Sequence, residues 1–188
     1  QINTEIVGCI YKGVVKNIVP AVDGIFVDIG IGKNAFLRRK DLLNEKRFPT
    51  EGSPILAQVI KSDTDMKGAL ITEKISMFGK YAVTLSGTGY IGVSKKIRQE
   101  SVRKRLKEIG KEICAEHMGL IIRTAAENAD MDEFRKDITR LKENWDIIQK
   151  RFRMEKSPTL LYRESDIIVK ALRDYVNKGT EILITDNR

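Results

Sequence analysis

The run GLIIRTAA, from Gly119 to Ala126, joins three apolar residues (Leu120, Ile121, Ile122) directly to Arg123 and Thr124. The apolar triplet predicts a buried strand, and the pair at its end predicts chemistry. A guanidinium presents its donors in a planar fork that matches phosphate oxygens two at a time, and the neighbouring hydroxyl adds another donor. Two arrangements satisfy such a pair: a surface ion pair with a helix cap, or a seat for a phosphate. A second set is aromatic. Tyr11, Phe26 and Phe36 stand among Lys12, Lys33 and Lys67. On a small barrel, aromatic rings on adjacent strands can stack on unpaired bases while lysines follow the phosphates. The same rings could instead fill the barrel core. In GIFVDIG, period two puts Ile25, Val27 and Ile29 on one face and Phe26 with Asp28 on the other, so Phe26 is expected to face outward.

A third set is the run Ser94–Glu112. It holds Lys95, Lys96, Arg98, Arg103, Lys104, Arg105, Lys107 and Lys111 against Glu100, Glu108 and Glu112. It reads either as a solvated helix face or as an electrostatic track for RNA, with Lys95, Lys96 and Arg98 placed before the helix. Other chemistries are excluded. Cys9 and Cys114 lie far apart, His117 is the only histidine, and a zinc site needs about four clustered ligands. GIGKN is not a phosphate loop, since Asn34 follows Lys33 and Val27 stands where the first glycine belongs. Asp28, Asp63 and Asp65 fit turn and surface roles. No catalytic residue is assigned.

The elements that position these groups fall into two parts. Residues 6–75 hold short β-branched strands separated by Gly-rich turns, with a helical turn near KDLL, which predicts a small five-stranded barrel. From residue 77 the pattern is α/β. GKYAVTLS and GYIGVS read as strands, Val102, Leu106, Ile109 and Ile113 recur at helical spacing, and GLIIRT is a strand. Phe134, Ile138, Leu141, Trp145 and Ile148 then mark a long helix opened by Asp130 and Glu133 as a capping box. A last helix over 165–176, ended by Gly179, leads into the strand EILIT.

The 188 residues carry a net charge of +8, which favours a polyanionic partner. No apolar run approaches the ~20 residues that span a bilayer. Separated cysteines and the lack of a basic-then-apolar leader fit a cytoplasmic protein. A start at Gln1 and a stop just after EILIT suggest a segment of a longer chain.

In this order, GCIYKGVVKNIVPAVDGIFVDIGIGKNAFL, QVIKSDTDMKGALIT, ISMFGKYAVTL, GVSKKI, GLIIRTAA and LLYRESDIIVKALRD resemble the ribonuclease E/G family over nearly the whole chain. The resemblance implies an α+β fold: a five-stranded S1-type OB β-barrel over 5–76, inserted in or preceding an α/β RNase H-like, 5′-sensor subdomain over 77–188. That subdomain would lack its first strands. The resemblance also implies roles. Phe26 and Phe36 match aromatics that contact RNA bases, and Lys67 matches a basic contact. Arg123 and Thr124 match the pair that holds a terminal 5′-monophosphate. Val83 falls where the family uses main chain near that pocket, and Lys95 falls at a supporting basic position. Ala35 stands where the family commonly has Gly, and Lys95 where it often has Arg.

The implied partner is single-stranded RNA with a 5′-monophosphate, and the implied setting is RNA processing and decay. The pocket would exclude a triphosphate, and a 5′-hydroxyl would leave the guanidinium without its anion. The family's magnesium, its catalytic aspartates and the cysteines that join subunits through zinc belong to a following domain, of which Asp186 is at most the entrance. This chain alone would therefore bind RNA without cutting it. Two rival readings are a non-catalytic RNA adaptor that uses only the barrel, and an interaction scaffold that presents the Phe134–Ile148 stripe to a partner helix.

Overall fold

The computed structural model describes residues 6–64, 67–114 and 118–163. Five strands form the first unit: β1 (Ile10–Val19), β2 (Gly24–Asp28), β3 (Ala35–Arg38), β4 (Pro54–Lys61) and β5 (Leu70–Thr72). Pairing runs β1–β2–β3–β5–β4 and returns from β4 to β1, so the sheet closes on itself. All of these pairings are antiparallel except β3–β5. Closure removes free edges and forces β1 to curve. Gly13 permits that curvature, since a Cβ there would lie 2.5 Å from Val27 Cγ1. The barrel interior follows the period of two. Ile25, Val27 and Ile29 are fully enclosed, with Leu37, Ile71 and Ala57 facing them.

The second unit is a four-stranded sheet and two helices. In chain order these are β6 (Ser76–Phe78), β7 (Ala82–Ser86), β8 (Ile91–Val93), α1 (Glu100–Ile113), β9 (Met118–Ile122) and α2 (Met131–Met154). Strand order is β6–β7–β9–β8, with only β8–β9 parallel. The expected stripe of α2 is core: Phe134, Ile138, Leu141 and Ile148 are buried and Trp145 packs beside them. The scaffold reading therefore loses its surface. Asp130 caps α2 by accepting from the amides of Asp132 (2.9 Å) and Glu133 (3.2 Å). The expected helix over 165–176, Gly179 and the strand EILIT lie outside the described residues.

Two strands were not anticipated, β6 and β10 (Thr159–Tyr162). Each is very short, and neither alternates clearly. β10 returns to the barrel and pairs antiparallel with the start of β1, on the side opposite β4. The first turn of β1 is thus flanked on both edges, which corrects two expectations. Tyr11 is 6% exposed and belongs to the barrel core, so it offers no ring to a base. Burial pushes its phenol pKa upward, with the Cys9 thiol adding to the shift. Lys12 points the other way. Its Nζ donates to the carbonyls of Phe152 and Glu155, both at 2.7 Å, and lies 5.0 Å from the Phe152 ring centre. A cation at the C-terminus of α2 satisfies carbonyls that the helix cannot, so Lys12 joins the two units and does not follow a phosphate chain.

Lys12→Met keeps the aliphatic stem and removes the charged donor. It should lower stability by about 2 kcal/mol, a fall in Tm of roughly 4–8 °C for a chain of this size. Its affinity for single-stranded RNA should stay at the wild-type value in a parallel titration.

Candidate nucleic-acid interface

Phe26 and Phe36 sit directly opposite each other in the β2–β3 register. Their ring centroids are 5.4 Å apart at 51°, and both are partly exposed on the outer face of the barrel. Two neighbouring glycines make this possible. A Cβ on Gly24 would fall 2.3 Å from the Phe36 ring, so the edge of that ring can approach β2 only over bare backbone. A Cβ on Gly68 would fall 1.9 Å from the Asn34 carbonyl oxygen, so that segment can press against β3 only as glycine. Phe36 N then donates to Ala69 O at 2.7 Å. The rings border a hollow of about 690 Å³ whose rim includes Lys61, Thr64, Lys67 and Leu70. Lys67 is exposed at the mouth, and its carbonyl accepts from Thr64 N at 2.8 Å. The Lys33 ammonium donates to Thr64 O at 2.9 Å. Lys61, which sequence reasoning passed over, ends β4 beside the rings. A basic residue at the end of an apolar strand was the signal for it.

The second cluster forms where β9 ends. Leu120 and Ile122 are fully buried while Ile121 is 39% exposed, so the sheet has a core face and an open face. Val83 lies opposite Ile121 in the register and shares its open face. Beyond Ile122 the chain turns into a short 3₁₀ segment, Thr124–Ala126. Arg123 N donates to Tyr81 O at 2.8 Å. The Arg123 guanidinium donates through Nη1 to the carbonyls of Gly79 (2.8 Å) and Lys80 (3.4 Å). The Thr124 hydroxyl meets the Ser94 hydroxyl at 2.9 Å, and Ser94 N donates to Ile122 O at 2.8 Å. Lys95 follows Ser94 and is exposed.

The fold therefore gathers Arg123, Thr124 and the Lys95-bearing turn at one sheet end, with Val83 one strand away. The helical part of the basic run lies along α1, where Leu106 and Ile109 are buried while Lys104, Arg105, Lys107 and Lys111 face solvent. Ser94 was legible only as the start of that run. Asp28 has a surface role, in an ion pair with Lys16 at 3.5 Å.

Tyr81 underlies the second cluster. Its phenol donates to Glu133 Oε2 at 2.8 Å, and its ring meets Phe134 edge-on. Burial foremost, and then the hydrogen bond to the Glu133 carboxylate, push its pKa up to about 12.

A closed barrel with outward aromatics and a lysine-edged hollow defines a single-strand nucleic-acid-binding fold of the OB type. Residues 5–72 match the S1 RNA binding domain model, and residues 76–188 match the Ribonuclease E/G family model. Ribonuclease G of Escherichia coli (strain K12) is 34% identical over 200 residues, covering 97% of this chain and 41% of that protein. Ribonuclease G of Haemophilus influenzae is 33% identical over 205 residues, covering 100% of this chain and 42% of that protein. Ribonuclease E of Synechocystis sp. is 34% identical over 190 residues, covering 96% of this chain and 28% of that protein. The chain belongs to the ribonuclease E/G family. It spans less than half the length of these relatives. Among the described residues no helix is long and apolar enough to cross a membrane.

The raised Tyr81 pKa has a testable sign. The phenol holds its proton more firmly folded than unfolded, so its contribution to stability is complete below pH 10 and is lost as pH climbs to about 12. Denaturant melts across this window should show a shallower alkaline decline for Tyr81→Phe than for wild type.

Proposed function

We propose that this chain is the RNA-binding, 5′-end-sensing part of a ribonuclease E/G-type endoribonuclease that works on cytoplasmic RNA. The observation that carries this reading is the convergence of Arg123, Thr124 and the Lys95 turn at the end of β9, on a chain whose barrel presents paired rings. The barrel holds single-stranded RNA by stacking bases on Phe26 and Phe36, with Lys61 and Lys67 beside the backbone. The Arg123–Thr124 seat takes the terminal 5′-monophosphate, with Lys95 adding charge and Val83 lining the approach. A doubly charged terminus matches the guanidinium fork, whereas a 5′-hydroxyl brings no charge to it.

Fixing the leading end restricts how the downstream strand can lie, which is the entropic part of presenting one bond for cutting. The cutting itself is expected in a further domain that uses magnesium. Among the described residues no group of three His, Cys, Asp or Glu side chains is placed to hold a metal ion. The barrel-only adaptor remains the second reading, favoured by the size of the hollow beside Phe26 and Phe36.

Paired titrations of one short RNA bearing either a 5′-monophosphate or a 5′-hydroxyl separate the two readings. Wild type should prefer the monophosphate by about tenfold or more, the scale of a charge-assisted contact, and Arg123→Ala should erase the preference. Phe36→Ala should weaken both RNAs alike by roughly 1–3 kcal/mol. Log–log salt plots should steepen by about 0.7 for each phosphate neutralised. Equal affinities for the two RNAs in wild type would leave only the adaptor.

A further inference from the structure

The two walls of the anion seat are irregular backbone, and each is held from behind by a charged side chain on a helix. One wall is Gly79–Tyr81, between β6 and β7. The other is Val93–Ile97, between β8 and α1. We infer that Asp137 and Arg103 are positioning residues of the seat: each orients the groups that meet the phosphate without meeting it itself. This rests on the phosphate-binding role proposed for Arg123 and Thr124.

Asp137 lies on α2 and is 7% exposed. A carboxylate so enclosed must be satisfied by donors. It accepts from Lys80 N at 3.2 Å and Tyr81 N at 2.8 Å, with Arg140 Nη2 at 2.9 Å. Those two amides belong to the Gly79–Lys80 and Lys80–Tyr81 peptide units. In a trans peptide the N–H and C=O point in opposite directions within one plane. Two amides turned toward α2 therefore turn two carbonyls away from it, and these are the carbonyls of Gly79 and Lys80 that accept from Arg123 Nη1. Asp137 thus holds Arg123 through two parallel peptide units, with the carboxylate at the positive end of each dipole and the guanidinium at the negative end. Hydrogen bonds in such a series polarise one another. Gly79 lets the loop lie this close, since a Cβ there would fall 2.3 Å from Asp137 Oδ2.

Arg103 does the matching work on the other wall. Its Nη1 donates to Ser94 O at 2.7 Å and to Ile97 O at 3.0 Å, and its Nη2 reaches Val93 O at 3.5 Å. Three carbonyls of one turn converge on one planar fork, which a lysine ammonium cannot reproduce. The turn so fixed carries Ser94, whose hydroxyl meets that of Thr124, and Lys95. Within a run of basic residues read as a solvated helix face or an RNA track, Arg103 is the one directed inward.

The test uses the 188-residue chain and the same RNA pair. Its readout is the ratio of 5′-hydroxyl Kd to 5′-monophosphate Kd. Asp137→Asn keeps the side chain's size but turns an –NH₂ toward one of the two amides. It should lower the ratio by about tenfold, the scale on which outer partners tune a charged ligand site. Affinity for the 5′-hydroxyl RNA should stay within about twofold, because the barrel is untouched. Arg103→Lys keeps the charge and should also lower the ratio. In an Arg123→Ala background Asp137→Asn should leave the affinity for both RNAs unchanged, since it acts through Arg123; a purely structural role would weaken both further. Should Asp137→Asn fail to fold, Arg103→Lys tests the claim from the other wall. Wild-type ratios in folded variants would overturn this inference and leave the 5′-end role intact. A wild-type protein with no preference for the monophosphate would overturn both.

Discussion

The arrangement at the end of β9 depends on one buried carboxylate. Asp137, enclosed beside Phe134 and Ile138, needs hydrogen-bond donors, and the loop before β7 supplies two of them. That requirement fixes two peptide planes, the planes fix two carbonyls, and the carbonyls fix one edge of the Arg123 guanidinium. An arginine side chain otherwise carries about 2 kcal/mol of rotamer entropy. Here the contacts to the Gly79 and Lys80 carbonyls remove part of that freedom. The same carboxylate makes Gly79 a requirement of packing, because nothing larger fits beneath it.

The barrel meets a different constraint with the same economy of parts. An exposed aromatic pair would collapse onto the nearest apolar surface unless the backbone beneath it were bare and its strands were held close. Gly24 and Gly68 provide both conditions, one under the Phe36 ring and one against β3. Apart from Cys9 and Tyr11 the buried barrel core is aliphatic, and the rings of Phe26 and Phe36 stand outside it. Tyr11 shows the contrast: with β4 on one side of its strand and β10 on the other, its ring is spent on the core.

The two units are joined by sheet as well as by chain. β10 extends the barrel through β1, and Lys12 reaches from β1 to the last turn of α2. Ile10, at the start of β1, packs in the same core as Met77, Phe134 and Leu161. Gln58 adds a polar tie, donating to the carbonyls of Gly8 (3.0 Å) and Ser76 (2.8 Å) and accepting from Ser76 N (2.9 Å). The barrel hollow and the end of β9 thus belong to units whose contact is built from strand pairing and buried side chains.

Much of this was written in local pattern. Period two in GIFVDIG placed Phe26 outside and Ile25, Val27 and Ile29 inside, and the spacing from Phe134 to Ile148 marked the buried face of α2. The strand before Arg123 and Thr124 was legible for the same reason: side-chain periodicity is a property of neighbouring residues. The roles of Tyr11, Lys12, Arg103 and Asp137 were not legible, because the partners that decide them lie outside the local pattern, as far as 143 residues away for Lys12 and 56 for Asp137. β6 and β10 escaped notice because strands of three or four residues owe their existence to the edge they pair with. The sequence by itself determined which residues alternate, which recur at helical spacing and which carry fixed charge. Only the tertiary structure decided which of those charges would be enclosed and so compelled to organise the backbone around them, because desolvation is a property of the assembled core.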